Sequence, residues 1–458
     1  MYHHSPAVFG PGDTRLAGER GRIEARMTIP KRPDLVRALG RWSLTALVLN
    51  SIIGSGIFGL PSIIAGLVGG ASPLAYLAAA VVIAVIIACF AEVASRFREA
   101  GGPYLYAQAA FGRLAGIEVA WLAWLARLTA AASNANLFVI YLAEFWSRAK
   151  DPAPRVAVLT LLLSFLAIVN YCAVKAGARL SNVFAVAKLL PLAAFIAVGL
   201  SFVHPANLTF HSRATSGAWL DAVLTLIFAF GGFEGAVIPM SEAKDPRRDA
   251  PFALFAALGV TTLVYTLVQV VVTGILSHPE QTDRPLATAA RQVLGAPGAA
   301  LIAAGALISV YGLLSSMALY TPRLTFALAE RRDFPAFFGA VHARFRTPYV
   351  SIVVYSVLVW TLAVAGSFRW NLSLSAVARL FTYAPTCAAL IALRRKHPSA
   401  DSFRLPAGPV LAVVGVGFSV ILITRMGRVD FAIVGVTVVI ALVNWLWVRS
   451  GARDEVRD

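Results

Sequence analysis

The 458-residue chain is short of charge, of cysteine and of acid. Charged residues make up 14% of it, against about 25% in ordinary soluble domains, while hydrophobic residues reach 58%. A water-soluble fold of that composition would expose apolar surface and aggregate, and so apolar a chain is not disordered over most of its length. The three cysteines, Cys89, Cys172 and Cys387, sit in apolar stretches without Cys-x-x-Cys or His-rich spacing, so neither a disulfide framework nor a metal site is indicated. The seven histidines lie in tails and loops, and no Walker lysine motif, His-Glu-x-x-His or Gly-x-Ser-x-Gly occurs. No catalytic residues, metal or cofactor are expected, and the chain does not read as an enzyme. Gly54-x-Gly56-x-x-Gly59 matches the dinucleotide fingerprint only formally. That motif needs a preceding strand and an acid about 20 residues on, and no acid lies between Ala71 and Ala91.

What the chain has in place of charge is long apolar runs. They lie near 43–67, 72–95, 116–146, 155–174, 179–203, 217–239, 251–276, 298–322, 348–366, 372–393, 406–424 and 429–448. Roughly 20 apolar residues cross a bilayer core, so an all-α polytopic membrane protein with twelve transmembrane helices is expected. With the N-terminus inside, 28 of the 40 Lys and Arg fall in cytoplasmic segments and 9 in outer joints. This positive-inside bias accounts for the net charge of +17 without a nucleic-acid partner. It places the chain as a multi-pass protein of the cell membrane, with both termini cytoplasmic. Residues 1–42 read as a flexible basic tail and 449–458 as a second short one. Nothing in the sequence names a protein partner.

Two of the runs are poor helices at mid-depth. The first holds Asn50-Ser-Ile-Ile-Gly-Ser-Gly-Ile-Phe-Gly-Leu-Pro61, and the sixth holds Phe228-Ala-Phe-Gly-Gly-Phe-Glu-Gly235 followed by Pro239. Glycine weakens a helix interior, and proline removes a backbone donor. Unwound backbone at that depth is tolerated only where it lines a cavity or is buried in protein. Interrupted spans at corresponding places point to an inverted-repeat transporter. Pairing the first run with the sixth makes the repeat five helices: 43–203 and 217–393, with 406–448 outside it. A six-plus-six facilitator would put its second break in the seventh run, where none appears.

A break at mid-membrane bares N–H groups on one half-helix and C=O groups on the other. The N–H end suits a carboxylate and the C=O end an ammonium, so both together suit an α-amino acid. Ser55, Gly56 and Ile57 are the expected carboxylate donors, with Ile53 and Gly54 forming the break beside them. Carbonyls of Ile52, Phe228, Ala229 and Gly231 are the expected ammonium acceptors, and Phe230 is expected to cover the solute as a gate.

These segments carry a resemblance. Ser51-Ile-Ile-Gly-Ser-Gly-Ile-Phe-Gly-Leu-Pro, the loop Ala100-Gly-Gly-Pro-Tyr-Leu-Tyr, the sixth-run Phe-Ala-Phe-Gly-Gly-Phe-Glu-Gly and Ser241-Glu-Ala-Lys-Asp-Pro-Arg-Arg resemble the amino acid–polyamine–organocation (APC) permeases. The likeness runs from about Trp42 to the C-terminus. It implies the five-plus-five inverted-repeat (LeuT-like) fold with discontinuous helices 1 and 6, and alternating access. It also implies the carboxylate and ammonium contacts just described.

Three basic residues lie inside apolar runs. Lys188 is at mid-depth of the fifth, where a lysine costs about 2.5–3.5 kcal/mol by insertion scales and should be paired or functional. The resemblance implies that a fifth-span lysine reaches the first-span break, where related transporters hold sodium. That makes Lys188 the coupling residue and the transporter sodium-independent, either proton-coupled or an exchanger. Arg127, in the third run, reads either as a selector for acidic substrates or as a fixed partner of Glu234, with the pair favoured. Arg379, Glu92, Glu118 and Glu144 read as interfacial or inter-helix contacts. The alternatives of different character are a carrier of cationic amino acids or polyamines and a membrane sensor that binds without transport. The cationic reading needs an acidic pocket, and only Glu234 is available.

Overall fold

The computed structural model describes residues 40–97, 101–172, 178–208, 214–236, 245–396, 398 and 403–454. The tail up to residue 39, Pro239 and residues 241–244 of the Ser241 motif lie outside the described residues. All regular structure among the described residues is helical. In lipid this follows from the backbone, since a helix is a way to satisfy every N–H and C=O within one segment.

In chain order the helices are α1 (Arg41–Ile52), α2 (Gly56–Val68), α3 (Ser72–Ser95), α4 (Pro103–Phe111), α5 (Arg113–Leu142), α6 (Pro152–Tyr171), α7 (Ala178–Gly199) and α8 (Ser216–Phe230). They continue as α9 (Phe233–Ala236), α10 (Pro246–Ile275), α11 (Pro285–Glu330), α12 (Tyr349–Ala365), α13 (Phe368–Lys396), α14 (Gly408–Ile423) and α15 (Arg428–Asp454). Eight helical stretches among the described residues are long and apolar enough to cross a membrane. The first, 56–95, joins α2 to α3 through a short turn, and three shorter apolar helices accompany the eight. Proline stands in the first turn of α3, α4, α6, α10 and α11, where its missing N–H would have no helical acceptor. Within α11 Gly295 takes a φ of 68°, which sets Pro285–Leu294 off from the long span after it.

The broken helices sit in the middle. α2 packs on α8, α1 lies against α9 and α10, and α5 runs along α13 and α11. The outer helices turn apolar side chains outward: Leu161 of α6 is 72% exposed, Phe431 of α15 68% and Val413 of α14 64%. Such a surface fits a multi-pass membrane protein whose apolar faces meet lipid rather than water. Trp121 and Trp124 are instead buried, Trp121 stacked on Phe334 at 4.5 Å and Trp124 edge-on to Phe338 at 5.6 Å.

Polar clusters tie the helix ends. Arg155 donates to the carbonyls of Ala363 at 2.7 Å and Gly366 at 2.6 Å, and so caps the C-terminus of α12. Asp333 accepts from Arg113 Nε at 2.7 Å and from the Tyr104 hydroxyl, joining α4 and the start of α5 to the segment after α11. Burial, and secondarily the Asp333 carboxylate, push the Tyr104 phenol up to about 12. Glu92, fully buried near the end of α3, receives Arg394 at 2.7 and 2.6 Å, Arg96 at 3.1 Å and the Leu405 N–H at 2.9 Å. Its reading as an inter-helix contact fits this geometry.

Removing one partner of a buried ion pair strands the other charge. Glu92→Gln is therefore expected to lower unfolding stability in detergent by about 3 kcal/mol, the low end of the range for such pairs because the Arg394 side chain is 25% exposed. A melting temperature equal to wild type would show that the cluster contributes nothing.

Candidate functional site

The first apolar run stops being helical at Ile52. Ile53 is extended (φ −72°, ψ 99°), and helix resumes at Gly56. The sixth run stops at Phe230; Gly231 is extended (φ −73°, ψ 163°), Gly232 has a φ of 114°, and α9 starts at Phe233. A φ of that sign favours glycine. Glycine is needed here for space as well. A Cβ on Gly56 would come within 2.9 Å of the Ala229 Cα, one on Gly232 would collide with the Ser51 carbonyl, and one on Gly231 with the Arg379 guanidinium. The two breaks thus lie against each other.

The bared backbone groups are partly answered. The N–H groups of Phe58 and Gly59 both donate to the Ser55 carbonyl at 3.1 Å, so those of Ser55, Gly56 and Ile57 form the open end of α2. The Tyr265 hydroxyl, on α10, lies 3.2 Å from both the Ile52 and the Ala229 carbonyl oxygens and bridges one break to the other. The Phe228 carbonyl accepts from the Gly231 N–H at 3.3 Å. Each carbonyl has a second lone pair, so each keeps room for a further donor. The Ser55 hydroxyl is buried and finds no hydrogen-bond partner. A buried orphan of this kind calls for an explanation, and a ligand group supplies one.

Between the breaks is a cavity of about 30 Å³. That volume holds a water or two and not an amino acid, so a solute enters only when the walls part. Its walls are Ser51, Ile52, Gly54, Ser55 and Gly56 from the first break and Phe228, Gly231 and Gly232 from the second. Ala130 and Asn134 of α5, Leu313, Met317 and Tyr320 of α11 and Arg379 of α13 complete it. Of the sequence-derived set, Ile52, Gly54, Ser55, Gly56, Phe228 and Gly231 meet at the cavity. Ile53, Ile57, Ala229 and Phe230 stand behind it.

Two expectations need correcting. Phe230 does not cover the cavity; it is fully buried, with its ring 5.4 Å from that of Tyr265. Residues two apart on a helix point roughly 200° apart, so Phe228 takes the cavity face and Phe230 the opposite one. Nor does Arg127 hold the salt bridge to Glu234. Arg379 does, joined by the Tyr383 hydroxyl at 3.1 Å and the Gly232 N–H at 2.8 Å. Arg379 reaches Glu234 because α13 packs on α8 beside Gly231, where there is no side chain to keep it out. Arg127 lies farther off: its charge acts on Glu234, the Tyr320 hydroxyl is within its hydrogen-bonding reach, and it makes a 3.4 Å contact to the Ala123 carbonyl. Lys188 falls on α7, but its side chain lies outside the described residues.

Sequence reading missed Tyr265, Tyr320 and Tyr383, and set Arg379 aside. A charge inside an apolar run was the signal for Arg379. No sequence signal separated these tyrosines from interfacial ones.

Replacing Tyr265 with Phe removes the donor shared by two buried carbonyls. Tyr265→Phe is expected to lower stability by about 1–3 kcal/mol and to reduce transport, read by thermal unfolding in detergent and by uptake in liposomes. Wild-type behaviour in both assays would remove the bridge from the account.

Comparison with known proteins identifies the family. The sequence matches the family described as amino acid permease over residues 39–448. It is 29% identical to the methylthioribose transporter of Bacillus subtilis (strain 168) over 423 residues, covering 86% of this chain and 89% of that protein. It is 26% identical to the branched-chain amino acid permease BcaP of the same bacterium over 429 residues, covering 90% and 92%. The serine/threonine exchanger SteT of that bacterium is 27% identical over 330 residues, covering 69% of this chain and 74% of its own. With nearly the whole span from α1 to α15 matched, the chain belongs to the amino acid permease family.

Proposed function

We propose that the chain is a secondary carrier that moves amino acids across the cell membrane by alternating access between two faces of one site. The observation that carries this reading is the contact between the two breaks. The open N–H end of α2 and the backbone of Ile52, Phe228 and Gly231 border one cavity, and those are the two poles that a zwitterion requires. In the same reading the twelve apolar runs are twelve spans, related as five plus five by an inverted repeat with two left over. Both termini are cytoplasmic, and transport is without catalysis. The relatives named above carry branched-chain amino acids, serine and threonine, or methylthioribose, so family membership leaves the side chain open.

A lysine at mid-depth of the fifth span is the proposed coupling group. A charged lysine is costly at that depth, so it is expected to be paired or functional. Transport is then sodium-independent, driven by a proton gradient or by exchange.

The test is uptake by the purified protein in liposomes against a panel of amino acids, with and without internal amino acid, a sodium gradient and a pH gradient. The expected outcome is uptake of at least one amino acid, unchanged when choline replaces sodium, and a lower, pH-flattened uptake in Lys188→Ala. A strict sodium requirement, or an unaltered pH profile in Lys188→Ala, would contradict the coupling. Binding without uptake would make the protein a sensor, and no binding of any amino acid would refute the reading as a whole.

A further inference from the structure

Among the described residues, the charge around the cavity does not balance. Arg379 is matched by Glu234, which leaves Arg127 over. Arg127 is 6% exposed and has no carboxylate partner among the described residues. It shares a face of α5 with Ala130 and Asn134, three and seven residues on, and both of those line the cavity. Tyr320, another wall residue, lies within its electrostatic reach. Among the described residues, the wall is thus backed by two guanidinium groups and one carboxylate.

A guanidinium stays charged at every accessible pH and in apolar surroundings is normally paired. Here its near partners are neutral, the Ala123 carbonyl and the Tyr320 hydroxyl, so its charge is hydrogen-bonded without being neutralised by a carboxylate of its own. Among the cavity walls, the Asn134 side-chain oxygen, the Ser55 hydroxyl and Arg379 Nε are buried without hydrogen-bond partners. These groups surround a void rather than a packed core, so an arriving solute would satisfy them. A cationic side chain would meet the excess positive charge and be repelled.

We infer that the substrate is an acidic amino acid, with its α-carboxylate on the N–H end of α2, its ammonium on the break carbonyls and its side-chain carboxylate turned toward Arg127. This rests on the amino acid carrier reading and narrows it. The side-chain carboxylate supplies the anion that the chain withholds from Arg127, while the Arg379–Glu234 pair stays intact as part of the wall.

Competition uptake in liposomes separates the possibilities, with L-aspartate and L-glutamate set against their neutral isosteres L-asparagine and L-glutamine. A hydrogen-bonded charge contact corresponds to about a 10- to 100-fold preference for the acids. Arg127→Gln is expected to abolish that preference by weakening the acids and not the amides, and Arg127→Lys to restore part of it. The wild-type panel alone is decisive if the variants fold poorly. Transport of amides as good as or better than that of acids would overturn the inference and leave the carrier reading standing. A preference for acids that survives in Arg127→Gln would overturn the role of Arg127. Failure of every amino acid tested would instead refute the carrier reading on which the inference depends.

Discussion

Backbone hydrogen bonding in lipid is the constraint from which the rest of the structure follows. Every helix that crosses the hydrocarbon satisfies itself, and only protein or a ligand can serve a segment that does not. Two segments here, around Ile53–Ser55 and Gly231–Gly232, leave the helix in the middle of the bundle. They do so side by side, with glycine at each point of contact, and one tyrosine hydroxyl answers a carbonyl from each. Tyr265 has a single proton for two acceptors. The breaks are therefore stabilised without being saturated, which leaves capacity for a solute.

Charge is placed unevenly around that framework. The Arg379–Glu234 pair is built into the wall at the second break, held by the Tyr383 hydroxyl and by the Gly232 N–H, both of which donate to the Glu234 carboxylate. Arg127 forms no salt bridge with Glu234 and acts on it at longer range. Away from the cavity, charges serve assembly: Glu92 gathers two arginines and the Leu405 amide, and Asp333 gathers Tyr104 and Arg113. The same residue types thus hold the helix ends together at one level and set the character of a cavity at another. Their surroundings make the difference, since the clusters at the ends are closed and the one at the centre is not.

Much of this was legible from the sequence. Ser72–Ser95 coincides with its apolar run because both ends carry punctuation, a proline in the first turn and arginines after the last. The breaks could be found because glycine and proline act through the backbone, which needs no knowledge of neighbours. Partners across the bundle could not be found that way. Arg127 and Arg379 look alike in sequence, each a lone arginine in an apolar run, and only the packing of α13 on α8 decides which one reaches Glu234. Phe228 and Phe230 differ only in helix phase, which a boundary error of one or two residues is enough to reverse. The role of Tyr265 depends on α10 lying against α1, a contact 213 residues apart in the chain.

A cryo-electron microscopy map of the protein saturated with a transported amino acid tests the central claim most directly. The account predicts ligand density between the two breaks, its carboxylate within hydrogen-bond distance of the Ser55, Gly56 and Ile57 amides and its ammonium near the carbonyls of Ile52, Phe228 and Gly231. Unbroken helix through Ile53–Ser55 and Gly231–Gly232, or a ligand seated elsewhere in the bundle, would contradict it.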